Sequence, residues 1–254
     1  MRIVVKVGTS TLAYQTGHLN IRHMEALCRV LSDLKNSGHE VILVSSGAIG
    51  MGRAKLGLKK TVDDMPAKQA AAAVGQCELM YTYDKYFAEY GHIVAQILLT
   101  KSDTDHADRY QNFKNTINRL LEMEVLTIIN ENDTVSTEEI AVGDNDTLAA
   151  IVATGADADM LILLSDIKGL YTADPHTDPD ATLIKEVNEL TDEIKALGKG
   201  AGTQLGTGGM HTKLHAAEIC MQNGIDMIIA LGEDPEILYD AIEKKNVGTL
   251  FTSR

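Results

Sequence analysis

The densest chemistry in the chain lies over residues 130–147, which read NENDTVSTEEIAVGDNDT. Asp133, Glu138, Glu139, Asp144 and Asp146 stand there among Asn130, Asn132 and Asn145. Carboxylates packed this closely repel one another unless a cation sits nearby. Without one, the stretch is a solvated surface loop, as most acidic runs are. Two distant lysines are candidates for the missing charge. Lys6 falls inside an apolar run at residues 2–7, where an ammonium is costly unless it is used, paired or turned to water on an edge strand. Lys213 comes just after Gly208 and Gly209, at the expected start of a helix. A helix N-terminus behind glycines offers free N–H groups and a positive dipole end, which suits phosphate. The plain alternative is a surface loop followed by a solvated lysine.

Other motifs are weaker. No GxxxxGK followed by Ser or Thr occurs, and Val7-Gly8-Thr9-Ser10 lacks the spacing of GxGxxG. Gly47, Gly50 and Gly52 match a dinucleotide fingerprint only loosely. His211 and His215 share one expected helix face but lack an HExxH context, so they read as a surface or cleft pair rather than a zinc site. Ser46 sits in a Ser-Gly turn without GxSxG around it, which favours a binding hydroxyl over a nucleophile.

These groups need a frame. Apolar, β-rich runs predict strands at residues 2–7, 40–44, 92–99, 125–129, 160–164, 226–230 and 248–251. Between them, Met24, Leu27, Val30, Leu31 and Leu34 recur with helical spacing up to Gly38. Further helices are predicted over residues 67–90, with a break near Gly75, and over 110–122, 147–154, 189–197, 210–223 and 235–244. A polar loop is expected through Arg109, and another over residues 198–209, which hold six glycines. Alternating strands and helices predict an α/β fold: a three-layer αβα sandwich with an open, mainly parallel central sheet. No repeat, linker or composition shift divides the chain, so residues 1–254 are expected to form a single domain. Ligands of such sheets bind outside the carboxyl ends of the strands. Gly8-Thr9-Ser10, Ser46-Gly47 and Ser165-Asp166 each follow a predicted strand at once, so one rim would gather them into a single cleft.

The whole-chain numbers narrow the classes. Of 254 residues, 44% are hydrophobic and 23% charged, ordinary for a globular protein. A net charge of −13 argues against nucleic acid or an anionic membrane as partner, but not against a small anion held by a few focused lysines. Cys28, Cys77 and Cys220 are odd in number and widely spaced, which fits unpaired thiols in a reducing compartment. No signal peptide and no apolar stretch of membrane-spanning length is found, so the expected location is cytoplasmic.

In chain order, Lys6-Val7-Gly8-Thr9-Ser10, Ser45-Ser46-Gly47-Ala48-Ile49, Ile129-Asn130-Glu131-Asn132-Asp133, Gly143-Asp144-Asn145-Asp146, the run from Ser165-Asp166 to Asp174-Pro175, and Gly206-Thr207-Gly208-Gly209-Met210-His211-Thr212-Lys213 resemble the motifs of the amino acid kinase family. The likeness runs over residues 6–251, and within the family it is to members acting on free L-glutamate. Members acting on N-acetylglutamate or aspartate show a double glycine where this chain has Gly8-Thr9. His211 stands where the family often has a small residue. The resemblance implies the family's fold and ATP-dependent phosphorylation of the glutamate side-chain carboxylate, the first step of proline biosynthesis, with Mg²⁺ bridging the phosphates. It implies that Lys6 and Lys213 act on the transferring phosphoryl group and that Asp146 holds both, with Gly8 and Gly47 supplying backbone N–H groups. Ser46, Gly47, Asn130, Asp133 and Asn145 would surround glutamate. Ser165, Asp166, Thr207, Gly208, Gly209, Met210, His211 and Thr212 would join Lys6, Gly8 and Lys213 around ATP, and no residue is assigned to the metal. The N-terminal part would then be mainly substrate-binding and the C-terminal part mainly ATP-binding, in a form without the PUA domain that many members carry. Proline as feedback inhibitor and a homo-oligomer, dimer or tetramer, are likewise implied. Two alternatives stay open: a family member acting on carbamate, a nucleoside monophosphate or N-acetylglutamate, and a sensing protein that binds without turnover.

Overall fold

The structure is a computed structural model that describes residues 1–14, 16–58, 63–135, 145–175, 177–198 and 209–253. Its centre is an eight-stranded sheet. The strands are β1 (Arg2–Val7), β2 (Glu40–Ser45), β3 (Val94–Leu99), β4 (Leu126–Glu131), β5 (Met160–Ser165), β6 (Glu186–Val187), β7 (Asp226–Leu231) and β8 (Gly248–Phe251), in the order β3-β4-β2-β1-β5-β7-β8-β6. All pairings are parallel except β7 with β8. Strand β1 is paired on both sides, with β2 and with β5, so Lys6 does not lie at an edge open to water.

Ten described helices connect and cover the strands: α1 (Thr9–Leu12), α2 (Ile21–Asn36), α3 (Ala48–Leu56), α4 (Met65–Ala88), α5 (Lys101–Asp105), α6 (Ala107–Glu122), α7 (Asn145–Gly155), α8 (Asp192–Leu197), α9 (Met210–Gln222) and α10 (Ile237–Ile242). Successive strand side chains point to opposite faces, and the core divides accordingly. Val4, Ile42, Val44, Ile129 and Leu161 pack with Phe113 and Ile117 of α6, Ala150 and Ala153 of α7, and Leu214 and Ala217 of α9. Ile3, Val5, Leu43, Ile128 and Ile162 pack on the other side with Leu27 and Leu31 of α2, Leu79 and Tyr83 of α4, and Leu238 of α10. This is the three-layer αβα sandwich expected. The alternation also aims the polar residues at the strand ends. Lys6 shares the face of Val4 and looks towards α7 and α9, whereas Asn130 shares the face of Ile128 and looks towards α4.

Local differences from the sequence reading have physical causes. Helix α4 runs unbroken through Gly75, because that glycine serves a close helix contact. A Cβ on Gly75 would lie 1.7 Å from the Ala48 carbonyl oxygen of α3, and one on Gly52 would lie 1.7 Å from the Ala71 carbonyl oxygen of α4. The polar segment before Arg109 is not loop: it holds α5 and the first turn of α6, with Thr100 and Asp103 forming a capping box. Helix α8 starts at Asp192 behind its cap, Thr191, later than the expected residue 189. Helix α3 and the short β6 were not anticipated. The glycine-rich loop lies mostly outside the described residues. Cys28, Cys77 and Cys220 are free thiols. Among the described residues, no helix is long and apolar enough to cross a membrane.

Candidate active site

Strand register builds the rim. Val7 pairs with Ser45 on one side and Leu164 on the other, and Val44 pairs with Ile129. The residues that follow, Gly8, Ser46 and Ser165, therefore come level at the carboxyl ends of β1, β2 and β5, and Asn130 of the adjacent β4 stands at the level of Ser45, one residue short of them. The first residues of α7, Asn145 and Asp146, and the first turn of α9 lie against this rim.

Lys6 and Lys213 meet on one carboxylate. Lys6 Nζ is 2.7 Å from Asp146 Oδ1, and Lys213 Nζ donates to Asp146 Oδ2 at 2.9 Å. The Thr212 hydroxyl is shared between Asp146 Oδ2 at 3.0 Å and the Gly209 carbonyl at 2.7 Å. Asp146 is 1% exposed and Lys213 6%. Burial alone would raise the Asp146 carboxyl, but the two ammoniums overcome it and hold it below the usual carboxylate range. Two ammoniums against one carboxylate leave this trio with one net positive charge. The backbone of Gly8 passes beside it, since a Cβ there would be 3.6 Å from Lys6 Nζ. Such a site accommodates an anion in a dry setting where charge–charge interactions are strong.

Next to the trio is a neutral cluster. Asn145 Nδ2 donates to Ser46 Oγ at 2.7 Å and to Asn130 Oδ1 at 3.0 Å. Asn130 Oδ1 also accepts the Glu131 backbone N–H at 2.9 Å, and Asn130 Nδ2 donates to Gln76 Oε1 at 2.9 Å. Gln76, from α4, was not singled out by the sequence, where it sits in an alanine-rich run that reads as plain packing. Its one signal is an amide on the buried side of that run, directly after Gly75. Gly47 follows Ser46 in the left-handed region, at φ 107°, and opens α3 with no side-chain cap. Asp133 lies in the turn after β4, half-buried, and burial pushes its carboxyl up to about 6. The hydrogen bonds of the neutral cluster do not include it.

On the side of β5, buried Ser165 donates to Asp166 Oδ1 at 3.2 Å, and Asp166 is exposed. Gly209 is the N-cap of α9, with no side-chain cap bond among the described residues, and Gly198 lies against this first turn, where a Cβ would come 3.3 Å from the His211 backbone nitrogen. Met210 is buried, and the exposed His211 lines, with Thr212, Thr147 and Lys101, a cavity of about 440 Å³ between α5, α7 and α9. Thr207 and Gly208 lie outside the described residues. No group of three or more His, Cys, Asp or Glu side chains among the described residues is placed to hold a metal ion.

Comparison with known proteins identifies the family. The family model described as Amino acid kinase family matches residues 1–231. The chain is 52% identical to the glutamate 5-kinase of Clostridium perfringens over 257 residues, covering 100% of this chain and 96% of that protein. It is 55% identical to the glutamate 5-kinase of Clostridium tetani over 251 residues, covering 99% of this chain and 94% of that protein. Among solved structures, the UMP kinase from Ureaplasma parvum superimposes with a TM-score of 0.68 at 16% identity, covering 99% of this chain and 98% of that one, a likeness of fold alone. With a family model spanning most of the chain and relatives this similar along its whole length, the chain belongs to the amino acid kinase family.

Proposed function

We propose that the protein transfers the γ-phosphoryl group of ATP to the side-chain carboxylate of L-glutamate, giving L-glutamyl 5-phosphate and ADP, the first step of proline biosynthesis. The observation that carries this reading is the split at the start of α7. Asn145 turns to a neutral, directional cluster, and Asp146 to two lysines, the buried Lys213 and the partly buried Lys6. An amino acid and a phosphoryl group can thus be held side by side. The names of the similar relatives support the same reading.

The chemistry suits the residues. A glutamate carboxylate, with an unperturbed pKa of about 4.3, is already ionised at neutral pH and needs no general base. One of its oxygens attacks the γ-phosphorus, the bond to the β,γ-bridging oxygen breaks, and that electron pair leaves with ADP. The obstacle is bringing two anions together, which positioned cations and N–H donors overcome. Lys6 and Lys213 provide the cations, Asp146 keeps them from splaying apart, and Gly8 and Gly47 provide N–H groups. Bound Mg²⁺ supplies charge neutralisation on the phosphate oxygens. Ser165, Asp166, Gly209, Met210, His211 and Thr212 contact ATP in this reading, together with Thr207 and Gly208. Ser46, Asn130, Asn145 and Asp133 contact glutamate, and Asp133 faces the α-ammonium. The N-terminal part of one domain serves mainly glutamate and the C-terminal part mainly ATP. Proline as a feedback inhibitor, a homo-oligomeric assembly and a cytoplasmic location belong to the same proposal.

The test is ADP release with ATP and Mg²⁺ in the presence of L-glutamate, N-acetylglutamate or L-aspartate. Glutamate is expected to support turnover well above the other two. Turnover with N-acetylglutamate and none with glutamate would overturn the assignment.

A further inference from the structure

A side-chain amide has a donor end and an acceptor end of nearly equal shape, so a chain of amides needs something to fix which end faces which. Here a backbone group does so. The Glu131 N–H can only donate, and it meets the Asn130 side-chain oxygen at 2.9 Å. The Asn130 NH₂ must then face Gln76, whose oxygen accepts it at 2.9 Å. The same Asn130 oxygen receives one N–H of Asn145 at 3.0 Å, and the other N–H of that group goes to Ser46 Oγ at 2.7 Å. Both N–H bonds of Asn145 are therefore committed to the cluster, and its oxygen is the end left to a ligand. Ser46 Oγ, having accepted, retains its own O–H as a donor.

Gln76 is the far anchor of this chain. It is 8% exposed, and its Nε2 is buried with no hydrogen-bond partner among the described residues. A dry, unpaired N–H is unfavourable, and an apolar side chain of similar size would avoid it. What an apolar side chain could not provide is the acceptor for Asn130. The adjoining Gly75 is pressed against the Ala48 backbone of α3, so α4 is held in close contact right beside Gln76. Without the acceptor, the buried Asn130 NH₂ would have to turn elsewhere, and Asn145 would lose the bond that sets its orientation.

We propose that Gln76 is a positioning residue that holds Asn130, and through it Asn145, in the orientation whose polarity the Glu131 N–H sets, so that Asn145 Oδ1 meets the α-ammonium of the substrate amino acid and the Ser46 hydroxyl meets a substrate carboxylate. The inference rests on free glutamate as substrate. Two variants test it: Gln76→Met, which keeps the size and removes the acceptor, and Gln76→Glu, whose buried carboxyl takes up a proton and keeps a carbonyl acceptor. Each is assayed for the KM of glutamate and of ATP, for kcat, and for preference over glutarate, the same diacid without an ammonium. In Gln76→Met the glutamate KM is expected to rise about tenfold, and preference over glutarate to fall by a similar factor. The KM for ATP and kcat should stay within about twofold, and Gln76→Glu within about threefold of the unaltered protein throughout. An unchanged glutamate KM in Gln76→Met, or equal losses on glutamate and glutarate, overturns the inference. Should Gln76→Met not fold, Gln76→Glu decides: a rise in glutamate KM of about tenfold contradicts it. An unaltered protein inactive on glutamate defeats the substrate reading itself, whereas an active one with indifferent variants defeats only the role of Gln76.

Discussion

Around Asp146 the rim of the sheet is built from whole charges. Around Asn145, one residue earlier on the same helix, it is built from neutral amides and a hydroxyl. The two regions answer different demands. Where phosphoryl transfer gathers negative charge, fixed cations stabilise the transition state more than the ground state, and that difference accelerates reaction. Burying three ionic groups is costly, and mutual pairing offsets that cost. Where an amino acid must be told from its analogues, charge is less useful than direction. A site built to hydrogen-bond a group rejects the molecule that lacks it, because its own polar atoms are left unpaired. Under the proposed function this contrast is a division of labour: charges for turnover, dipoles for recognition, with α7 joining them.

The division can be broken at Asp146 with the largest effect. Asp146→Ala leaves two ammoniums without their shared carboxylate, so turnover should fall by about 10³-fold or more. Stability should fall by about 3–5 kcal/mol, the usual cost of removing one partner from a buried ion pair. Steady-state kinetics and urea denaturation check both, and turnover within tenfold of the unaltered protein would remove Asp146 from the centre of the site. Lys213→Ala comes next, with kcat down by about 10²- to 10³-fold and the glutamate KM within a few-fold. Asn145→Ala should show the opposite split: a glutamate KM raised by about ten- to thirtyfold and kcat changed much less. If both variants lose kcat alike, the two regions do not divide the work.

The smallest effect concerns pH. Burial pushes the Asp133 carboxyl up to about 6, so it loses its charge as pH falls through that value. A carboxylate serving the substrate ammonium is then lost, and the glutamate KM should climb below about pH 6 while remaining flat above it. Asp133→Asn should have a higher KM without that climb. A climb that survives in Asp133→Asn belongs to another group.

Much of the charged region could be read in the sequence, and much of the neutral one could not. Lys6 inside an apolar strand and Lys213 behind glycines are each anomalous in type for their place, which is how a used charge announces itself. Strand alternation from Val4 then gives the face on which Lys6 must meet α7 and α9. Asn130, Asn145 and Ser46 were legible as polar residues next to strand and helix ends. Gln76 was not, because its partner lies 54 positions along the chain and nothing local distinguishes it from the alanines around it. Gly75 misled for a related reason: composition marks a glycine as a breaker, while its use here, a helix contact too close for a Cβ, depends on Ala48 of another element. The segment before Arg109 read as loop because Thr100 and Asp103 are turn formers, yet as cap residues they start a helix.

The most direct measurement of the central claim is the acyl phosphate itself. The protein would be mixed with ATP, Mg²⁺ and L-glutamate in the presence of hydroxylamine, and the hydroxamate counted against ADP. The expected result is γ-glutamyl hydroxamate formed in step with ADP and dependent on glutamate. ADP released without hydroxamate would contradict phosphoryl transfer to a carboxylate.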